Sequence, residues 1–262
     1  MLEFIEIAHK LADRAGEIIL PYFRAQLDIE HKEDKSPVTL ADQGAERAMR
    51  EILESLRPED GIHGEEFGVK DSKNGYMWVL DPIDGTKPFI TGNPNFGTLI
   101  ALCKDGAPVL GVIDQPFTKD RWLGAAGQAT THNGKPVKTR SCAALKDAIC
   151  ASTAPGMFDA LAPDFNRAWR NQVKFVSWGG DCISYALLSS GFIDLVLEAQ
   201  MKPHDFMALV PVVEGAGGAM CDWQGQPLTL QSDGTVIALG DVAVLPELLA
   251  FLRAEEQRAS GT

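Results

Sequence analysis

Apolar residues recur at two different periods along the chain. Between residues 2 and 20, Phe4, Ile5, Ala8, Leu11, Ala12, Ala15, Ile18 and Ile19 fall at three- and four-residue steps, one face of an amphipathic helix that ends near Pro21. Residues 31–42 are polar, and Pro37 disfavours helix at Ser36. From Thr39 the helical period returns through Ala45, Ala48, Met49, Ile52, Leu53 and Leu56 until Pro58 stops it. Beyond Gly61 the apolar residues come instead in short bounded runs at 77–80, 96–102, 107–113 and 121–125, with Thr130 and Thr131 after them. Cys103-Lys104-Asp105-Gly106 joins two of these runs as a hairpin, and Asn133-Gly134 is a second hairpin turn. The first half therefore predicts two helices with an antiparallel sheet, and a boundary near Ser141 divides the chain into residues 1–140 and 141–262.

The second half has a different grain. Strand-like runs at 148–152, 173–176, 192–198, 219–223 and 236–239 alternate with helical stretches at 166–171, 183–188, 206–213 and 245–253, and 154–163 reads as loop. Pro211 predicts a kink within its stretch, and Gly215, Gly217 and Gly218 close it. Alternating strands and helices predict a mixed α/β layer, so the whole chain reads as α+β to α/β.

Composition narrows the function classes. A chain of 262 residues buries a sizeable core, and its formal net charge of -12 argues against a general binder of nucleic acid or anionic membrane. That charge still permits a phosphorylated substrate, because bound cations invert the local field. The five cysteines are scattered with no C-x-x-C pair, which reads as free thiols in a reducing compartment. Glu3 and Glu6 sit in a helical period unlike a signal peptide, and no apolar run is long enough to span a bilayer. A cytoplasmic protein is expected.

The chemistry gathers at residues 78–102, WVLDPIDGTKPFITGNPNFGTLIAL. An apolar run delivers Asp81; Pro82, Ile83, Asp84, Gly85 and Thr86 follow. Two carboxylates three residues apart on a Pro- and Gly-braced turn suit a hard cation, which takes oxygen ligands. If a helix starts here, as Pro88 favours, the amides of Gly85, Thr86 and Lys87 point outward and can hold phosphate. A lone D-x-x-D would be a surface turn. Asp42 alone reads as a helix-start acid, Lys35 as a loop lysine, and the GIHGEEFG stretch as a charged turn in which His63 is an unremarkable strand-end residue.

WVLDPIDGTKPF resembles the first signature of the inositol monophosphatase superfamily of magnesium-dependent phosphatases, and DFMALVPVVEGAGG at residues 205–218 resembles the second. The family usually has Trp before that aspartate; here it is His204. The resemblance implies a layered αβαβα sandwich with an antiparallel N-terminal sheet and a mixed C-terminal sheet. It implies Mg2+ held by Glu65, Asp81, Asp84, Asp205 and the Ile83 carbonyl, with Glu66 beside them or in solvent. It brings Lys35 to the metal centre and Asp42 to Thr86, so that Thr86, hydrogen-bonded to Asp42, orients the attacking water while Gly85 and Thr86 hold the phosphate. The absence of His and Cys from the ligand set favours magnesium over zinc. A homodimer is also implied.

Within the superfamily, GTKPFITGNPNFGTLIAL, the GGDC element and the segment from Lys202 to Gly218 look most like the histidinol-phosphate phosphatase branch. Asp181 and Glu198 match the positions where the family reads its alcohol. Two carboxylates accept hydrogen bonds from hydroxyls and bind an amine by stronger charge-assisted bonds, which mildly favours histidinol phosphate over inositol phosphate. Asp181 also fits a cap on the helix after Gly180. The expected function is magnesium-dependent hydrolysis of a small phosphate monoester, best matched by histidinol phosphate and so by histidine biosynthesis. The alternatives are an inositol monophosphatase and a non-catalytic phosphate-binding or regulatory module. The intact carboxylate set argues against the last.

Overall fold

The computed structural model describes residues 1–25, 37–159, 161 and 164–260. The apolar stripes become two packed helices. α1 (Leu2–Ile19) buries Ile7, Ala8, Leu11, Ala12, Ala15 and Ile19, and α2 (Pro37–Leu56) buries Ala41, Ala45, Met49 and Leu53. Pro37 opens α2, at a position whose N–H has no partner within a helix, so its absence is tolerated.

Both helices cover one face of an eight-stranded sheet. Its strands are β1 (Gly61–Gly64), β2 (Gly68–Lys70), β3 (Tyr76–Asp84), β4 (Gly97–Lys104), β5 (Ala107–Gln115), β6 (Asp120–Ala125), β7 (Thr131–His132) and β8 (Lys135–Pro136). A short helix, α3 (Thr86–Ile90), links β3 to β4. The spatial order is β2-β1-β3-β4-β5-β6-β7-β8. The expected hairpin joins β4 to β5, with Asp105 at φ 51° and Gly106 at φ 86° as its turn. The expected antiparallel sheet contains one parallel pair, β1 with β3, in register from Gly61–Met77 to Gly64–Leu80. The cause is the β1–β2 hairpin. It sends β2 to the sheet edge, so β3 takes the other side of β1 running the same way.

The second sheet is mixed, as expected: β9 (Ile149–Ser152), β10 (Phe175–Trp178), β11 (Leu195–Glu198), β12 (Ala219–Cys221) and β13 (Val236–Leu239), in the order β10-β9-β11-β13-β12. β10 lies two residues later than the sequence suggests. β11 starts only at Leu195, with Phe192 exposed in the preceding loop. α4 (Phe165–Arg170) and α8 (Leu245–Ser260) pack on its outer face. Between the sheets lie α5 (Asp181–Ser189), α6 (Pro203–Phe206) and α7 (Leu209–Gly215). Residues 206–213, expected as one helix kinked at Pro211, instead break at Met207–Ala208. Pro211 has no N–H for the Met207 carbonyl, so the interruption falls a turn before the proline.

The stack is thus helices, sheet, helices, sheet, helices: the αβαβα sandwich. Val79, Leu99 and Ile113 from the first sheet meet Phe206, Leu209 and Val213 of the middle layer and Val196 and Ala238 of the second sheet in one continuous core. All five cysteines are buried and free. Among the described residues no helix is long and apolar enough to cross a membrane.

Candidate active site

Side chains three apart on a regular strand face opposite ways, so Asp81 and Asp84 need a reason to converge. The register supplies it. Asp81 pairs with Leu99 and Asp84 with Gly97, three steps on β3 against two on β4. The extra residue is a bulge at Pro82–Ile83 that turns both carboxylates to one side. Thr98 holds it by donating its hydroxyl to the Pro82 carbonyl at 2.8 Å. Gly85 follows at φ 84°, where a Cβ would lie 2.6 Å from the Asn95 carbonyl oxygen, so the turn into α3 requires glycine.

Other elements add acids to this point. α2 contributes Asp42, the β1–β2 turn Glu65, and α6 Asp205. Asp42, Glu65 and Asp81 form one group and Asp81, Asp84 and Asp205 another, with one ligand oxygen from each residue within 4.8 Å of its partners in the group. Asp81 belongs to both. The Glu65 amide donates to the Leu80 carbonyl at 3.2 Å, tying the turn to β3. Asp205 is aimed by the Lys202 amide, which donates to its Oδ2 at 2.7 Å, and His204 Nε2 lies 3.5 Å from its Oδ1.

The electrostatics are those of crowded, buried anions. Burial first, then the charges of Asp84, Glu65, Asp205 and Asp42, drives Asp81 well above the carboxylate range. Burial and the charge of Asp181 do the same to Asp84, partly offset by its contact with Cys182. Asp42 is pushed up to about 8 by burial, with Glu65, Glu66 and Glu46 adding to it. Asp42 Oδ1 and Asp81 Oδ1 are buried with no hydrogen-bond partner. An all-oxygen set with orphaned carboxylate oxygens fits a hard divalent cation.

The expected hydrogen bond between Thr86 and Asp42 is not formed. Thr86 sits at the start of α3 and its hydroxyl donates to the Ile83 carbonyl at 3.3 Å, the nearest acceptor across the tight turn. Lys35 lies outside the described residues. His63 is half-buried on β1, its ring 6.3 Å from that of His204. Glu66 is half-buried in the same turn as Glu65.

The second pair of acids lies across the cleft. The Cys182 amide donates to Asp84 Oδ2 at 2.7 Å, and Asn95 Nδ2 donates to the Gly179 carbonyl at 2.8 Å, clamping the start of α5 against the bulge. Asp181, Cys182, Tyr185, Glu198, Thr153, Met157 and Met201 line a cavity of about 180 Å³ that also touches Asp84 and Asp205. Asp181 does not cap α5: its side chain makes no capping bond, its φ is 42°, and its buried Oδ2 is unpartnered. Glu198 Oε1 accepts from the Thr153 amide at 2.8 Å and hydroxyl at 2.6 Å, and Oε2 accepts from the Tyr185 hydroxyl at 2.9 Å. Burial raises Asp181 to about 6, against the opposing pull of Lys87, and raises Glu198 to about 7. A larger cavity, about 770 Å³, lies between α1 and β5–β7, away from the acids; Arg121 in it is engaged by Asp114, His9 and Asp13.

Sequence reasoning missed Glu46. It is fully buried on α2 one turn after Asp42 and accepts the Glu66 amide at 2.7 Å and the Phe67 amide at 3.2 Å. The signal was present: residues 42, 46, 49 and 53 form one stripe, so an acid at 46 interrupts the apolar face.

Residues 1–258 match the inositol monophosphatase family. The chain is 49% identical over 237 residues to the Arabidopsis thaliana protein called bifunctional phosphatase IMPL2, chloroplastic, which covers 90% of this chain and 68% of that one. It is 36% identical over 238 residues to a histidinol-phosphatase of Chlorobaculum parvum, covering 89% of this chain and 91% of that one. The structure of an inositol monophosphatase from Zymomonas mobilis superposes with a TM-score of 0.90 at 50% identity, over 96% of this chain and 98% of that one. The chain belongs to the inositol monophosphatase family, whose members are metal-dependent phosphatases.

Proposed function

We propose that this member of the inositol monophosphatase family hydrolyses histidinol phosphate to histidinol and phosphate with magnesium as its cofactor. The observation that carries the hydrolytic part is the gathering of five carboxylates in two groups that share Asp81, two of the five with buried unpaired oxygens. Glu65, Asp81, Asp84 and Asp205, with the Ile83 carbonyl, would hold the cation, and Asp81 belongs to both carboxylate groups. When bound, divalent cations lower the pKa of a coordinated water and neutralise charge on the phosphate and the leaving oxygen.

The chain's own groups do the rest. The amides of Gly85 and Thr86 face the phosphate; α3 is only five residues long, so the individual N–H groups matter more than any helix dipole. The Thr86 hydroxyl donates to Ile83 and keeps its oxygen free to accept from, and so orient, the attacking water. Asp42 Oδ1, unpaired beside the cluster, is the atom available to take a proton from that water. Lys35 is proposed to add positive charge near the phosphate.

Substrate choice rests on the cavity beside Asp84. Two desolvated carboxyls there are raised by burial, which is the cost of an anion without a cation. An amine entering the cavity would restore both to the charged form, and histidinol phosphate carries one. The likeness to histidinol-phosphatases supports the same reading. A second reading, hydrolysis of inositol phosphate, is favoured by the likeness to the Zymomonas mobilis protein. The proposed protein is a cytoplasmic homodimer acting on a small soluble ester.

The test is phosphate release from a panel of monoesters, with magnesium and with chelator. Release from histidinol phosphate above all others, abolished by chelator, is expected. Equal turnover without any divalent ion would remove the metal from the mechanism, and a strong preference for inositol phosphate would replace the substrate.

A further inference from the structure

We infer that Glu46 is a positioning residue for the metal centre: it fixes the turn that presents Glu65. The inference rests on the proposed role of Glu65 as a metal ligand. The turn from Gly64 to Gly68 is short and Glu65 itself is exposed, so the position of its carboxylate depends on how the turn is held. What holds it lies beneath. The Glu46 carboxylate rises from α2 into the hollow of the turn, fully buried, with Oε2 accepting the Glu66 amide at 2.7 Å and Oε1 the Phe67 amide at 3.2 Å.

The fit is close on every side. A Cβ on Gly64 would fall 1.9 Å from Glu46 Oε1, so glycine precedes Glu65 because the carboxylate occupies that space. Arg50, one turn further along α2, donates Nε to Glu46 Oε1 at 2.7 Å and Nη2 to the Gly68 carbonyl. Its guanidinium therefore ties the carboxylate to the far end of the turn. The Glu65 amide is held from the other side by the Leu80 carbonyl, in the strand that carries Asp81.

A buried carboxylate beside Asp42 adds repulsion to a crowded anionic site, and a neutral side chain would serve packing better. Geometry accounts for its presence. A carboxylate offers acceptors to both amides and to Arg50 at once, whereas an amide side chain has a single oxygen and must turn an NH2 toward a donor. Glu46 and Asp42 also share one helix face, so α2 sets the distance between Asp42 and Glu65 as a rigid spacer.

The test is calorimetric titration of magnesium chloride into wild type and Glu46→Gln, beside thermal melting of both. Glu46→Gln should weaken magnesium by about tenfold, the scale seen when partners behind a metal ligand are lost, while turnover at saturating magnesium returns to near the wild-type value. A lower melting temperature with unchanged magnesium affinity would overturn the inference, since it describes packing alone. Arg50→Lys gives a second reading if Glu46→Gln fails to fold. One ammonium cannot span both acceptors, so magnesium should weaken a few-fold, and unchanged affinity would again overturn it. A wild type that binds no magnesium would remove the metal role of Glu65 itself, and with it the reason for positioning it.

Discussion

At one end of the cleft, Asp42 and Asp81 each leave a buried oxygen without a partner, and their nearest charges are other carboxylates. At the other end, Glu198 has both oxygens occupied by Thr153 and Tyr185, and only Asp181 keeps one oxygen unpaired. Both ends are acidic and buried, yet they are completed differently. The first is held by backbone devices, a bulge and a tight turn, and leaves lone pairs open that could accept a cation. The second is largely completed by the chain's own donors and leaves one oxygen for a visitor. On the proposed reading, the open lone pairs of the first end would hold ions, and the occupied wall of the second would select among alcohols.

Breaking the first end should do the most damage. Asp81→Asn removes the carboxylate common to both groups, and phosphate release should fall to background while circular dichroism shows a folded protein. Full turnover at saturating magnesium would mean that Asp81 is not a ligand. Thr86→Ala is the next largest effect. Loss of a group that positions the water should cost roughly 100-fold or more in kcat with little change in KM. A change confined to KM would assign Thr86 to substrate binding alone.

The pH dependence sharpens the contrast at the other end. Glu198 is raised from an ordinary value of 4.5 to about 7, so between those values the folded chain holds a proton that the unfolded chain releases. Stability should therefore fall as pH rises through that window, because the native state binds more protons there. Asp181, raised from 3.8 to about 6, contributes with the same sign. Thermal melting of the metal-free protein from pH 4.5 to 7 should show the decline, and it should be shallower in Glu198→Gln. Parallel curves would mean that Glu198 stays ionised throughout.

Sequence alone showed much of the first end and less of the second. D-P-I-D-G-T is a local device: strand, bulge and turn lie within six residues, so spacing carries the geometry. The hairpin at 103–106 is legible for the same reason. The parallel pairing of β1 with β3 is not, because it depends on where β2 goes. Glu46 was hidden because an acid on a long helix ordinarily faces water, and only its place in the buried stripe says otherwise. The Thr86–Asp42 bond failed as an expectation because the Ile83 carbonyl is a closer partner across the turn. Asp181 also fitted a helix cap, a role that does not exclude substrate binding, and its unpartnered oxygen speaks against the cap alone.

The central claim is that the metal end performs hydrolysis while Asp181 and Glu198 choose a cationic alcohol. The direct test is kcat/KM of wild type and Asp181→Asn on histidinol phosphate and on inositol phosphate. A charged hydrogen bond is worth roughly 1.5–3 kcal/mol, about tenfold to a hundredfold. The account predicts a loss of that size on histidinol phosphate, mostly in KM, and a clearly smaller one on inositol phosphate. Equal losses on both substrates would contradict it, because Asp181 would then be holding the cavity's shape or reading hydroxyls and not a positive charge.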